Sequence, residues 1–193
     1  AEVAAANKEA QANRYVNDDP FEVAMVAVDP DNGHVKALVG GRDYYTSQVN
    51  IATGLGGSGR QAGSAFKTFT LVSALEQGIS PETTVRCTSR VKIKDWSVEN
   101  IYGINYGDRS IARAFAVSSN TGFARLISAI GPEKVVELAH RLGITSQLSA
   151  VPALTLGTSS VTPLEMASAY ATAIPSSAPS VVSFAFTNPS STY

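Results

Sequence analysis

The segment Ser64 to Gln77, SAFKTFTLVSALEQ, closed by Gly78, constrains the fold more than any other stretch of this chain. Its spacing predicts a helix, and glycine is a common helix stop. Around a 3.6-residue turn, Phe66, Phe69, Leu71, Val72, Ala74 and Leu75 point in almost every direction. A helix apolar on all sides must be surrounded by other elements. Lys67 lies inside this helix, and burying an ammonium costs several kcal/mol unless it has a partner or a task. With 193 residues, 44% of them hydrophobic, the chain is long enough to build such a surround as one domain with an appendage.

The surrounding elements are legible in outline. Glu22 to Val28 (EVAMVAV) and Val35 to Val39 (VKALV) flank Asp29-Pro30-Asp31-Asn32-Gly33, a run of turn formers, and predict a hairpin with both strands substantially buried. Val85 to Lys94 alternates and reads as an exposed strand or arm. Ser110 to Val117 and Thr121 to Ile130 predict helices on either side of Ser118-Ser119-Asn120. Pro132 to Leu142 is amphipathic. Thr162-Pro163-Leu164-Glu165 is a capping box opening a helix to about Ile174. Residues 1–20 read as a polar linker or helix, 21–174 as the domain, and 175–193 as a serine- and proline-rich tail. Within that tail Val181 to Phe186 has the composition of a strand. After Glu165 no charged residue follows.

Several functions are excluded early. Fifteen basic residues against sixteen acidic, a net charge of −1 and no basic stripe argue against nucleic acid as a partner. No apolar run is long enough to span a bilayer. A single cysteine, Cys87, and two distant histidines, His34 and His140, supply a metal centre poorly, so neither metal nor cofactor is expected. The glycine-rich run from Gly54 to Gly63 lacks the Gly-Lys-Ser/Thr of a phosphate loop. Arg86, Arg90, Lys92 and Lys94 read as a solvated face. Trp96 reads as a satellite-core residue or a groove wall.

Two short constellations can carry chemistry. In Ser64-Ala65-Phe66-Lys67 the serine and lysine fall one helical turn apart, so the amine reaches the hydroxyl. An apolar setting lowers a lysine pKa toward that of a general base. A second S-x-x-K, Ser89 to Lys92, falls in the alternating segment, where positions i and i+3 face opposite sides. Ser118-Ser119-Asn120 serves either as the N-cap of the following helix or as a proton shuttle with an amide to hold a substrate carbonyl.

These residues stand in longer strings. Gly40-Gly41-Arg42-Asp43-Tyr44, then Ser47, Asn50 and Ala52, lead to Arg60-Gln61-Ala62-Gly63-Ser64-Ala65-Phe66-Lys67. Ala114 to Asn120 follows, and then Leu156-Gly157-Thr158-Ser159-Ser160-Val161-Thr162-Pro163-Leu164-Glu165. In this order they resemble the transpeptidase domain of class A penicillin-binding proteins, with Ala62 where that family usually has proline. The resemblance covers roughly residues 21–173.

It implies an α/β (α+β) fold like that of penicillin-binding proteins and β-lactamases, with helices packed on an antiparallel sheet. It also implies a serine D-Ala-D-Ala transpeptidase without a cofactor, cross-linking peptidoglycan stem peptides and bound covalently by β-lactams. Ser64 is then the nucleophile, Lys67 its base, Ser118 a proton relay and Asn120 the substrate-binding amide. Such enzymes work on the extracytoplasmic face of the bacterial membrane, this chain being a soluble fragment of an anchored protein.

The family's K-[ST]-G strand is not found: none of the lysines is followed by Ser-Gly or Thr-Gly. The sheet is therefore expected to be incomplete, and this fragment weak or inactive. Its open edge would be filled by a second chain or by Val181–Phe186. From about 174 onward the residues depart from the family's usual sequence. The alternatives are a non-catalytic penicillin-recognising module and a β-lactamase. The latter is disfavoured by the absence of an acidic residue in the middle of Ser118-Ser119-Asn120.

Overall fold

In the computed structural model, residues 23–45, 48–55 and 59–173 are described, together with the backbone of 182–187. The expected linker at 1–20 and most of the tail lie outside them. Along the chain run β1 (Val23–Val28), β2 (Val35–Val39), α1 (Lys67–Glu76), β3 (Thr84–Arg86), β4 (Arg90–Ile93) and β5 (Trp96–Glu99). They are followed by β6 (Asp108–Ser110), α2 (Ile111–Ala116), α3 (Asn120–Ile130), α4 (Pro132–Arg141), α5 (Pro163–Ala173) and β7 (Val182–Thr187). No helix among the described residues is long and apolar enough to cross a membrane. The chain divides into two compact units: residues 1–60, 142–146 and 161–193 in one, 61–141 and 147–160 in the other.

The first unit is built on a three-stranded antiparallel sheet, order β2-β1-β7. The hairpin turn is made by local side chains: Asp29 accepts from the Asp31 amide and from Asn32 Nδ2, and Asn32 Oδ1 accepts from the His34 amide. Gly33 takes φ +72°, a conformation glycine adopts without strain. As the central strand, β1 is almost wholly buried. Ala24, Val26 and Val28 line one core with Ala167 and Ala171 of α5, whose small side chains let helix and sheet approach closely. β2 is more exposed than its composition suggests, with Val35 at 48% and Leu38 at 40%. Its position at the sheet edge accounts for this. The Val181–Phe186 segment forms a strand displaced by one residue, β7, which pairs along all of β1 from Val23↔Thr187 to Val28↔Val182. Of the two ways to fill the open edge, the chain's own segment takes the place.

The capping box at the start of α5 forms as read: the Thr162 amide donates to Glu165 Oε2 and the Glu165 amide to Thr162 Oγ1. The same carboxylate also accepts from the amides and hydroxyls of Thr145 and Ser146, tying residues 142–146 to the helix. Burial acts to raise the Glu165 pKa, but these hydrogen bonds outweigh it and hold the group at about 2, below its ordinary 4.5. A depressed carboxyl pKa contributes stability that is complete above the unfolded value and is lost as pH falls toward the folded one. Glu165→Gln is therefore expected to cost about 1–2 kcal/mol at pH 7, allowing for solvent screening of a half-exposed group. Thermal melts at pH 7 and pH 3 check this. The parent should lose more stability than the variant across that interval, and equal losses would contradict it.

In the second unit α1 is the central helix, but it is not buried all round. Lys67, Phe69, Thr70, Ser73 and Ala74 are buried, Leu71 and Val72 are half-buried, and Leu75 is 42% exposed. The helix runs out to the surface at its last turn, where Glu76 pairs with Arg141 of α4 and Gln77 folds back on Ser73. At its buried end Phe66 and Phe69 meet at 4.6 Å between ring centroids, and Thr70 donates across to Thr155. Helices α3 and α4 both pack against it, and α3 buries Phe123, Ala124, Leu126, Ile127 and Ile130. The expected strand from Val85 to Lys94 is broken in two at Cys87–Ser89. Cys87 turns inward, fully buried, and β4 pairs with β5 as a hairpin instead. The basic residues of this hairpin are exposed, and Arg90 pairs with Glu99 across it. Trp96 meets both of its readings: it packs on the satellite core of Val91, Val98 and Ala124, and it lines an open groove of about 620 Å³ with Ile93, Pro132 and Pro152.

Candidate active site

Ser64 belongs to a 3₁₀ turn, Gly63–Phe66, that runs into α1 at Lys67. The predicted single helix from Ser64 is thus a tighter turn followed by an α-helix. This matters for the site, because side chains three apart nearly eclipse one another in a 3₁₀ turn. Ser64 Oγ and Lys67 Nζ are 2.7 Å apart. Gly63 introduces the turn with φ +59°, and Gly157 lies against it so closely that a Cβ there would come within 2.3 Å of the Gly63 backbone. The Leu156-Gly157 stretch therefore packs directly on the residue before the nucleophile candidate.

The second constellation meets the first at the same amine. Lys67 Nζ lies 3.0 Å from Ser118 Oγ, 3.1 Å from the Ser118 carbonyl and 2.8 Å from Asn120 Oδ1. Lys67 is 1% exposed, whereas Ser64 faces solvent. All four residues singled out in the sequence, Ser64, Lys67, Ser118 and Asn120, thus converge on one point in one compact unit. The other S-x-x-K does not: Ser89 precedes β4 and Lys92 is exposed on it.

The turn between α2 and α3 ends one helix and starts the next. The Ser118 amide donates to the Phe115 carbonyl and the Ser119 amide to the Ala114 carbonyl, the two bonds of a Schellman C-cap. Ser118 occupies the left-handed position, φ 52°, where glycine is usual. A side chain there costs about 1 kcal/mol or more, and it gives Lys67 a hydroxyl and a carbonyl from one residue. Ser119 is the N-cap of α3, accepting from the Gly122 amide. The capping and the chemical readings of this tripeptide therefore fall on different residues, cap on Ser119 and chemistry on its neighbours.

Burial pushes the Lys67 pKa down from 10.5 to about 8. Near neutral pH an appreciable fraction of the amine is then unprotonated, which an exposed lysine cannot offer. Four oxygens surround Nζ, one more than the protons of an ammonium. The ammonium can donate to three of them, whereas the neutral amine can donate to two and accept the Ser64 hydroxyl proton on its lone pair. The arrangement can activate a serine oxygen and pass its proton to a second hydroxyl.

The sequence reading missed Asn100. It is 3% exposed, follows β5 directly and bonds to the Ser119–Thr121 turn. Its only signal in the sequence is a lone amide between the Trp96–Glu99 strand and an apolar loop, which is too common a pattern to single out.

Comparison with known proteins gives this geometry its context. The profile of the penicillin-binding protein transpeptidase domain matches residues 23–184. Penicillin-binding protein 1A of Aquifex aeolicus is 36% identical over 155 residues, covering 78% of this chain and 21% of its own length. Penicillin-binding protein 2D of Bacillus subtilis is 35% identical over 158 residues, 78% of this chain and 22% of its own. Among solved structures, PonA1 of Mycobacterium tuberculosis in complex with penicillin V superposes with a TM-score of 0.71 at 32% identity, over 87% of this chain and 47% of that one. The chain belongs to the penicillin-binding protein transpeptidase family, and its relatives place it with the class A members. It spans about a fifth of the length of the curated relatives it matches.

Proposed function

We propose that this chain carries the acyl-transfer site of a serine D,D-transpeptidase that cross-links peptidoglycan. The observation that supports the reading best is the buried Lys67 amine bonded at once to Ser64, Ser118 and Asn120. In the proposed reaction neutral Lys67 takes the Ser64 proton as Oγ attacks the carbonyl of the penultimate D-alanine of a stem peptide. A C–O bond forms, the peptide C–N bond breaks, and the proton passes by way of Ser118 Oγ to the departing D-alanine amine. An amine of a neighbouring stem peptide then attacks the ester. An amide replaces it: the attacking amine's proton passes by way of Ser118 Oγ to Lys67, which delivers it to the Ser64 oxygen as the ester C–O bond breaks.

Asn120 would hold the donor peptide's amide, and the Ser64 backbone N–H would give one oxyanion-hole donor. The second would come from the family's K-[ST]-G strand. The structure of PonA1 of Mycobacterium tuberculosis in complex with penicillin V supports β-lactams as ligands. The natural setting would be the extracytoplasmic face of a bacterial membrane, where stem peptides occur.

Time-resolved labelling with a fluorescent penicillin, read on a denaturing gel, tests the proposal. A covalent label that persists for hours after excess drug is removed is the expected result. A label that appears and is quickly shed would favour a β-lactamase. No label at any concentration would contradict an acyl-serine function and leave the non-catalytic module.

A further inference from the structure

Resting on the acyl-transfer reading, we propose that Asn100 is a positioning residue for the reaction, holding the turn that presents Ser118 and Asn120 to Lys67. Ser118 sits in a conformation that a non-glycine residue leaves readily, and such strain persists only where the surroundings over-determine it. The α2 C-cap supplies two bonds. Further restraint comes from β5, the residue after it and the Thr88 carbonyl.

Asn100 Oδ1 accepts from Ser119 Oγ at 3.1 Å and from the Thr121 amide at 3.1 Å, the residues on either side of Asn120. Its Nδ2 donates to the carbonyls of Cys87, Thr88 and Ile104 at 3.3, 3.0 and 2.9 Å. Thr121 Oγ1 donates to the Thr88 carbonyl at 2.7 Å, so the turn and the Cys87–Thr88 strand break are fixed to each other. The Glu99 carbonyl, one residue earlier, accepts from Asn120 Nδ2 at 3.0 Å. That bond settles which end of the Asn120 amide faces Lys67: nitrogen to Glu99, oxygen to the lysine.

A side-chain amide is the group this position requires. It must accept on one side and donate on the other while fully buried, and each of its polar atoms is matched. A hydrocarbon of the same size would leave the Thr121 amide without its side-chain acceptor and the Ser119 hydroxyl with only Thr121 Oγ1, 3.4 Å away, to donate to. The αL serine could then relax, carrying its hydroxyl and carbonyl away from Nζ. Lys67 would lose part of the cage that keeps it from water.

The test compares the full chain with Asn100→Ala and with Thr121→Val, which is nearly isosteric, keeps the backbone amide and cuts only the Oγ1 bonds. Two readouts are taken on protein shown to be folded by circular dichroism: the fluorescent-penicillin acylation rate, and the pH titration of Lys67 followed by NMR on ¹³Cε-lysine. A displacement of reacting groups by about an ångström slows such a step roughly 100-fold. That loss is expected for Asn100→Ala, with a several-fold loss for Thr121→Val. In both, Lys67 titration should move from about 8 toward the ordinary lysine range.

Parental acylation with unmoved Lys67 titration overturns the proposal. Slowing that only matches a loss of folded protein, with Lys67 unmoved, overturns it as well. If Asn100→Ala does not fold, Thr121→Val decides. If the parent itself is not acylated, the acyl-transfer reading fails, and the Lys67 titrations still decide whether Asn100 positions this cage.

Discussion

Replacing Lys67 with methionine is expected to slow β-lactam acylation by 10²–10⁴-fold, the usual contribution of a positioned general base, and at the same time to stabilise the protein at pH 7. The two effects have one cause. Lys67 is buried, and burial lowers its pKa from 10.5 to about 8. Between those values the unfolded chain holds the proton more tightly than the folded one, so stability rises with pH through that window and is lower below it. The burial costs at most about 3 kcal/mol at neutral pH, taking 1.36 kcal/mol per tenfold change in proton affinity.

Methionine fills the same space without charge. It returns part of that cost, the remainder being offset by Ser64, Ser118 and Asn120 losing their bonds to Nζ. Ser64 is exposed and water replaces its partner readily. Thermal melts from pH 7 to pH 10.5 should show the parent gaining stability as pH rises through 8 while the variant stays flat. Acylation of the parent should itself climb through pH 8 as the amine loses its proton. A variant that labels at the parental rate, or that keeps the parental pH dependence of melting, would contradict the role given to Lys67.

The parts of this site that were legible in the sequence are those with a local cause. Ser64 and Lys67 lie within one turn, so their meeting follows from helical spacing alone, and the 3₁₀ turn only brings them closer. The hairpin and the capping box are likewise local patterns, and both form where their residues stand. Ser118 and Asn120 are more than fifty residues from Ser64, and no periodicity links them. The resemblance of longer strings brought them together.

Other features depended on tertiary context. The burial of Cys87 breaks one alternating strand into two pieces, because its neighbours are drawn toward Asn100 and the α2–α3 turn. Leu75 is exposed although its helix reads as apolar all round, since α1 leaves the core at its last turn. Asn100 could not be found from sequence for the same reason: its partners come from three separate segments. The strand at Val182–Thr187 was legible by composition, and its pairing with β1 follows from the unfilled edge of a central, buried strand.

In the proposed reaction the covalent chemistry falls on a single atom, Ser64 Oγ. It stands at the solvent-facing end of the cage, 2.7 Å from a lysine whose pKa burial lowers to about 8, and beside the backbone amides of a tight turn. The chain holds many other serines, among them Ser118 and Ser119 close by, and neither should react. Ser118 serves the lysine, and Ser119 is fully buried in the cap of α3. Intact-mass measurement after incubation with penicillin, followed by peptide mapping, addresses this directly. The expected result is one adduct per chain with the mass of the whole opened β-lactam, located on the peptide containing Ser64 and absent from Ser64→Ala. An adduct on another residue, or one that survives Ser64→Ala, would contradict the account.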